Sequence, residues 1–156
     1  MVVVEIPNDY GPLTSSKSYV LLAATSTFFV NFWHTMKTVK ARKASGVPYP
    51  NAYAPASEAT EGTPSFKLNC AQRAHSNFIE NLTPFLATLF IAGVRYPIPA
   101  ASLGFGWLAF RVVYTIGYLS KAGPKGRRVG YIGSFFSGIG LALTAGWTAV
   151  KLIQGQ

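Results

Sequence analysis

Residues 129–150, VGYIGSFFSGIGLALTAGWTAV, decide the fold, because this stretch contains no Asp, Glu, Lys or Arg. A helix needs about 20 predominantly apolar residues to cross a bilayer. Three more stretches have the same character, with at most one charged residue each: residues 18–36, 81–94 and 96–120. The second is short, but it continues a helical pattern that begins upstream. The sequence therefore predicts an all-α membrane protein, a bundle of four transmembrane helices.

The composition agrees with contact with lipid. Only 12% of the 156 residues are charged, about half the share that is usual in a soluble domain. This length suits one domain, residues 1–156, with helices at about 17–43, 66–94, 99–120 and 127–152 and a Pro-rich loop over residues 44–65. The first twelve residues carry acids and prolines and no basic region, so we expect no cleavable signal peptide.

The basic residues predict the orientation in the membrane. They concentrate in two connections: Lys37, Lys40, Arg42, Lys43 and Lys67 around the first, and Lys121, Lys125, Arg127 and Arg128 around the second. The positive-inside rule then places both connections in the cytosol. The net charge of +9 follows from this topology, and no nucleic-acid motif accompanies it, so we expect no nucleic-acid partner.

Polar residues interrupt the second and third predicted helices. Arg73, Asn77 and Glu80 follow one another at spacings that place them on one helical face. A second stripe, formed by Arg111, Tyr114 and Tyr118, follows the same rule on the third helix. Each charged group costs at least about 2.5–3.5 kcal/mol at mid-membrane when unpaired, so such groups mark functional sites by default.

Counting residues from the helix ends places Glu80 and Arg111 at similar depth, and we expect them to pair. On a purely structural interpretation, Glu80 and Arg111 form an ion pair and the tyrosines anchor the helix at the membrane interface. The aligned stripes, joined by Arg42, Arg127 and Tyr131 at the same membrane face, favour a charged pocket. Arginines bind carboxylates bidentately and a glutamate can hold an ammonium, so the pocket suits a small polyanion with one cationic group.

The same residues resemble a known family. The run Arg73-Ala-His75-Ser-Asn77-Phe-Ile-Glu80, followed by Pro84-Phe85-Leu86, resembles the RAHxNxxE…PF signature of the membrane-associated proteins in eicosanoid and glutathione metabolism, the MAPEG family. Ala41-Arg42-Lys43 and residues 111–118 resemble the same family. The resemblance covers residues 17–152 and is strongest to the type-three microsomal glutathione transferases, close to leukotriene C4 synthase.

The resemblance implies a homotrimer in the endoplasmic reticulum membrane that binds glutathione between subunits near the cytosolic face. It implies that glutathione is held by Arg42, Arg73, His75, Asn77, Glu80, Arg111, Tyr114, Tyr118 and Tyr131. The catalytic arginine of the family lies at the start of the fourth helix. Arg127 is our candidate, with Arg128 and Lys125 as alternatives, and no metal is implied.

The implied activity is a glutathione transferase or peroxidase that acts on lipophilic electrophiles or lipid hydroperoxides, including leukotriene C4 synthase-type chemistry. Two alternatives are a non-catalytic protein that presents lipids and a small transporter with Glu80 as its coupling residue. Against the transporter, the charges cluster near one face. Against the lipid-presenting protein, this chain retains the residues that the resemblance assigns to glutathione binding.

Small residues recur at every fourth position of the fourth predicted helix: Gly130, Ser134, Gly138, Ala142 and Gly146. This ridge predicts close helix packing within one chain or between subunits. We expect the single cysteine, Cys70, and His34 in the first helix to serve packing, since neither has partners at a catalytic or metal-binding spacing.

Overall fold

The structure, a computed structural model, describes residues 15–155 as four long helices with one long connection, between the first two, and two short ones. The elements are α1 (Ser15–Ser45), α2 (Pro64–Arg95), α3 (Pro97–Tyr118), a single 3-10 turn (Gly123–Lys125) and α4 (Arg128–Ile153). The predicted all-α bundle is confirmed, and the expectation for the first twelve residues lies outside the described part.

Three segments are long and apolar enough to cross a membrane: Pro64–Arg95, Pro97–Tyr118 and Gly123–Ile153. The predicted first span, α1, is not among them, although residues 18–36 carry no charge. Its hydroxyl, amide and imidazole groups lower the mean hydropathy of the helix. The crossing of the membrane by α1 therefore stays a prediction.

Several polar side chains of α1 nevertheless form hydrogen bonds within the helix. The hydroxyl of Thr25 donates to the carbonyl of Leu21 at 2.9 Å, and that of Thr38 donates to the carbonyl of His34 at 3.1 Å. Such internal bonds leave few groups that need water. The outward surface of α1 is apolar, and its exposed side chains include Leu21, Leu22, Phe28, Phe29, Phe32 and Met36.

Local chemistry sets the ends of α2. The hydroxyl of Thr63 accepts a hydrogen bond from the backbone N–H of Phe66 at 3.1 Å, and Pro64 opens the helix where no N–H is needed. At the other end Tyr96 alone separates α2 from α3, which opens with Pro97. This short connection makes α2 and α3 antiparallel neighbours.

The long connection between α1 and α2 is held by two side chains. Arg42, only 9% exposed, donates to the backbone carbonyls of Asn51 at 2.7 Å and Ala52 at 3.0 Å. The side-chain amide of Asn69, on α2, forms two hydrogen bonds with the backbone of Ala54. The guanidinium of Arg42 therefore orders the loop.

The core lies where α1, α2 and α3 meet, with α4 packed against α2 and α3. Phe85 on α2 stacks on Trp107 of α3 at a ring-centroid distance of 4.0 Å. Small residues allow the helices to approach: a Cβ at Gly104 would lie 2.9 Å from the side chain of Leu89. The helices thus meet through close contacts, as expected in a membrane bundle.

The ridge of small residues on α4 divides into two parts. A Cβ on Gly130 would lie 2.1 Å from the backbone nitrogen of Tyr114, and Ser134 is also buried. Further along, Gly138 and Ala142 border a shallow groove, and a Cβ on Gly146 would meet nothing within 4 Å. The first part of the ridge therefore serves packing of α4 on α3 within one chain.

We predict that Gly130→Ala destabilises the bundle by about 1–3 kcal/mol, because the added methyl group meets backbone atoms that have no flexible side chain to move aside. Gly146→Ala is the matched control on the same helix, and we expect it to be neutral or slightly stabilising, since alanine favours helix. Thermal unfolding in detergent measures both, and equal melting temperatures for the two variants would contradict the packing described here.

Candidate functional site

The polar stripe on α2 forms a continuous network. The Nη1 of Arg73 donates to Oε1 of Glu80 at 3.0 Å, and the amide of Asn77 donates to the other carboxylate oxygen at 3.5 Å. The side chains of Arg73 and Glu80 are each 50% exposed. An ion pair half exposed on the surface of an apolar helix calls for a polar neighbour on that side.

Arg111 lies behind this network on α3 and is 3% exposed. Its Nη2 donates to Oδ1 of Asn77 at 2.9 Å, and its guanidinium lies 4.7 Å from the ring centroid of Tyr114. The expected pairing of Arg111 with Glu80 was therefore wrong. Asn77 stands between the two, and Glu80 is held instead by Arg73 of its own helix.

A second polar layer supports Arg111 from α1. The hydroxyl of Thr115 donates to the backbone carbonyl of Arg111 at 3.1 Å and lies 3.2 Å from Nε2 of His34. The contact between His34 and Thr115 joins α1 to α3. His34 is 1% exposed and stacks on Phe78 at 4.8 Å, so the expectation that it serves packing holds.

Arg127 comes directly before α4 and faces the tyrosines of α3. Its Nη1 donates to the hydroxyl of Tyr114 at 3.3 Å, and its guanidinium lies 5.3 Å from the ring centroid of Tyr118. Its position depends on Gly126, whose backbone touches Gly117: a Cβ on Gly117 would lie 2.1 Å from the Gly126 carbonyl oxygen. Two glycines thus bring Arg127 against α3.

An open cavity of about 540 Å³ lies between these elements. It is lined by Arg73, Asn77, Tyr114, Pro124, Lys125, Arg127, Arg128 and Tyr131. Among the described residues, the lining includes four cationic side chains and no carboxylate, together with two phenol groups and one amide as hydrogen-bonding partners. The cavity can therefore hold a polar anion the size of a short peptide.

Other predicted site residues lie outside this cavity. His75 borders an adjoining open depression of about 350 Å³ on α2, with Gln72, Ser76, Ile79 and Glu80, whose carboxylate reaches Arg73 at the edge of the cavity. The Nε2 of His75 lies 3.1 Å from Oδ1 of Asn31. Arg42 is turned into its loop, Arg111 is buried behind Asn77, and Tyr118 borders a third depression near Cys70.

Sequence reasoning missed the two glycines that set the position of Arg127. No sequence motif links Gly117 to Gly126, and their role follows only from their backbone contact in the folded chain. It also missed Pro124, which lines the cavity from the 3-10 turn. Because this connection follows neither a helical nor a strand period, hydrophobic periodicity carries no signal for it.

Comparison with known proteins assigns these features to a family. The model of the MAPEG family matches residues 20–147. A prostaglandin E synthase of Mus musculus is 35% identical over 81 residues, which cover 48% of this chain and 50% of the relative. Its counterpart of Rattus norvegicus is 33% identical over 81 residues, with the same coverage. The match thus spans half the length of these relatives.

We predict that Asn77→Ala destabilises the protein by about 1.5–3 kcal/mol, because it leaves the buried guanidinium of Arg111 without its hydrogen-bond acceptor. Asn81→Ala is the matched control: its side chain is exposed and donates only to the backbone carbonyl of Asn77. We expect a change within about 0.5 kcal/mol for the control. Melting temperatures in one detergent test the difference, and similar losses in both variants would rule out this role for Asn77.

Proposed function

Because the chain belongs to the MAPEG family, we propose that it is a glutathione-dependent enzyme that activates the glutathione thiol for reaction with lipophilic substrates. The reaction is transfer to an electrophile or reduction of a lipid hydroperoxide. The two matched relatives are synthases by name, which supports an enzyme over a lipid-presenting protein. The choice of the type-three branch stays a prediction.

The cavity suits the charges of glutathione, which carries two carboxylates and one ammonium group. Arg73, Lys125 and Arg128 offer cations for the carboxylates. Glu80, next to Arg73 at 3.0 Å, is the acidic group available for the ammonium. Asn77 is fixed by Arg111, so its amide is oriented before any ligand arrives. This arrangement supports glutathione as the bound cosubstrate.

Arg127 is the residue we assign to thiol activation. A free thiol has a pKa of about 8.5 and is mostly protonated at neutral pH, whereas the thiolate is the nucleophile. A guanidinium within hydrogen-bonding reach stabilises the anion. Arg127 is oriented by the hydroxyl of Tyr114 and lines the cavity, so it can present its remaining N–H groups to sulfur. Arg128 and Lys125 line the same cavity and remain the alternatives.

An apolar groove next to the cavity supports a lipophilic second substrate. On α2 the groove is lined by residues that follow Arg73 and Asn77 along the helix: Asn81, Pro84, Phe85 and Thr88. On α4 its lining begins one turn after Tyr131. The groove has a volume of about 220 Å³ and ends on Trp107 of α3. A substrate dissolved in the bilayer has a path along α2 and α4 to the sulfur position.

We further propose that the site is shared between subunits of a homotrimer in the endoplasmic reticulum membrane, facing the cytosol. Arg127 and Arg73 line the cavity, with Glu80 beside Arg73, whereas His75 lies at an adjoining depression. Residues on two separate surface regions contact one ligand when copies of the chain meet in a closed ring. The half-exposed Arg73–Glu80 pair also gains a polar neighbour in this way.

One observation carries the proposal: Arg127, directly before α4, lies in one cationic cavity with Tyr114 of α3 and Arg73 of α2. Arg73 is distant in the chain from both Tyr114 and Arg127. A structural ion pair alone would need only Arg73 and Glu80, which already satisfy one another.

We predict that Arg127→Ala lowers turnover roughly 100-fold, because a charge that stabilises the developing anion is lost. Glutathione binding should fall only a few-fold, since the other cations of the cavity are retained. Turnover with a model electrophile and a lipid hydroperoxide, together with calorimetry of glutathione binding, separates the two effects. Arg128→Ala removes the same charge from a binding position: its glutathione binding should weaken, but its turnover at saturating glutathione should stay near that of the wild type.

Two results would overturn parts of this assignment. Near-normal turnover of Arg127→Ala with a large loss in Arg128→Ala or Lys125→Ala would move the activating role to that residue. No binding of glutathione by the wild-type protein at millimolar concentration would reject the enzyme and favour a lipid-presenting protein.

The shared site predicts complementation between impaired variants. Arg127→Ala and His75→Ala subunits, each impaired alone, should form mixed trimers in which about one site in three is intact, because one interface of each mixed trimer joins the two intact regions. Co-expression with two affinity tags and tandem purification yields the mixed assemblies. No recovered activity would show that each site lies within one subunit.

A further inference from the structure

A basic cleft opens at the membrane-surface ends of α1, α2 and α3, away from the cationic cavity. It has a volume of about 260 Å³ and is lined by Lys37, Lys40, Ala41, Ala44, Lys67 and Leu119. The residues from α1 follow at spacings of three, one and three, so they lie on one face of the last turns of that helix. Lys67 comes from the first turn of α2, and Leu119 follows the end of α3.

Within residues 15–155, no carboxylate forms an ion pair with the charges of this cleft. The three lysines are exposed, and the ion pair in this part of the chain joins Arg73 to Glu80. Glu61 lines the neighbouring depression, which Lys67 also borders, and it does not line this cleft. The positive charges of the three lysines repel one another, so the cleft favours an anion that lies between them.

We propose that this cleft binds the headgroup of an anionic phospholipid. Basic pockets between transmembrane helices at the membrane surface are suited to such headgroups, and each lysine near the surface contributes attraction. The floor formed by Ala41, Ala44 and Leu119 is apolar, which suits the glycerol region of a lipid better than a fully hydrated ion.

The surroundings of the cleft favour a lipid over a soluble anion. Lys37 lies 5.2 Å from the ring centroid of Trp33, and tryptophan is typical of the membrane interface. Phe32 and Met36 are exposed on the same helix in the turns that lead away from the cleft, at 57% and 51%. They offer an apolar surface for the acyl chains, which a free phosphate would not use.

The test is lipid binding by the full-length protein in detergent, followed by native mass spectrometry with phosphatidylserine, phosphatidylcholine and inorganic phosphate as probes. We expect phosphatidylserine to bind in preference to phosphatidylcholine. At about fivefold for each lysine, Lys40→Gln/Lys67→Gln should weaken phosphatidylserine binding roughly 30-fold. Phosphatidylcholine binding should not change.

The matched control, Lys43→Gln/Lys121→Gln, removes the same charge from the same end of the bundle outside the cleft. It should weaken binding a few-fold at most, and Lys40→Arg/Lys67→Arg should retain binding, which also controls for folding. Equal losses in both glutamine pairs would show diffuse attraction and overturn the proposal. Competition by inorganic phosphate as effective as that of phosphatidylserine would overturn it in favour of a soluble anion.

Discussion

The hydrogen bond from Arg111 to Asn77 is the constraint on which the candidate site depends. A guanidinium 97% buried among apolar helices is costly unless it is hydrogen-bonded, and Asn77 supplies an acceptor to its Nη2 at 2.9 Å, while its Nε has no partner among the described residues. This bond sets the register of α2 against α3. Arg73 then lies beside the tyrosine stripe, and Tyr114 packs under the same guanidinium, so one buried contact organises both polar stripes.

A second constraint, the contact between glycines, brings the activating group to that surface. Gly117 and Gly126 touch through their backbones, and Gly130 lies against Tyr114. The contact leaves Arg127 beside the phenol groups of α3, where no helical periodicity would have placed it. The conformational freedom of glycine is secondary here; the absence of a Cβ is what permits the approach. A buried hydrogen bond thus aligns α2 with α3, and contacts at glycines let α4 approach α3.

Much of the fold was predictable, and the errors have physical causes. The apolar stretches and the residues at their ends predicted four helices. A segment of about 20 uncharged residues that crosses a membrane must satisfy its backbone hydrogen bonds internally, and a helix does so. Helical spacing placed Arg73, Asn77 and Glu80 on one face. It did not show which partner each would choose, since spacing fixes direction and not distance. Glu80 paired within α2, and Arg42 turned into the loop to satisfy backbone carbonyls.

The sequence by itself determined that the chain is helical, apolar over most of its length and basic at one end of the bundle, since these properties depend on composition and period alone. The family resemblance added the chemistry expected of its arginines and tyrosines. Only the tertiary structure decided which of them share a cavity, because that depends on contacts between residues distant in the chain. Arg127 joined Tyr114 and Arg73, while His75 lies at an adjoining depression.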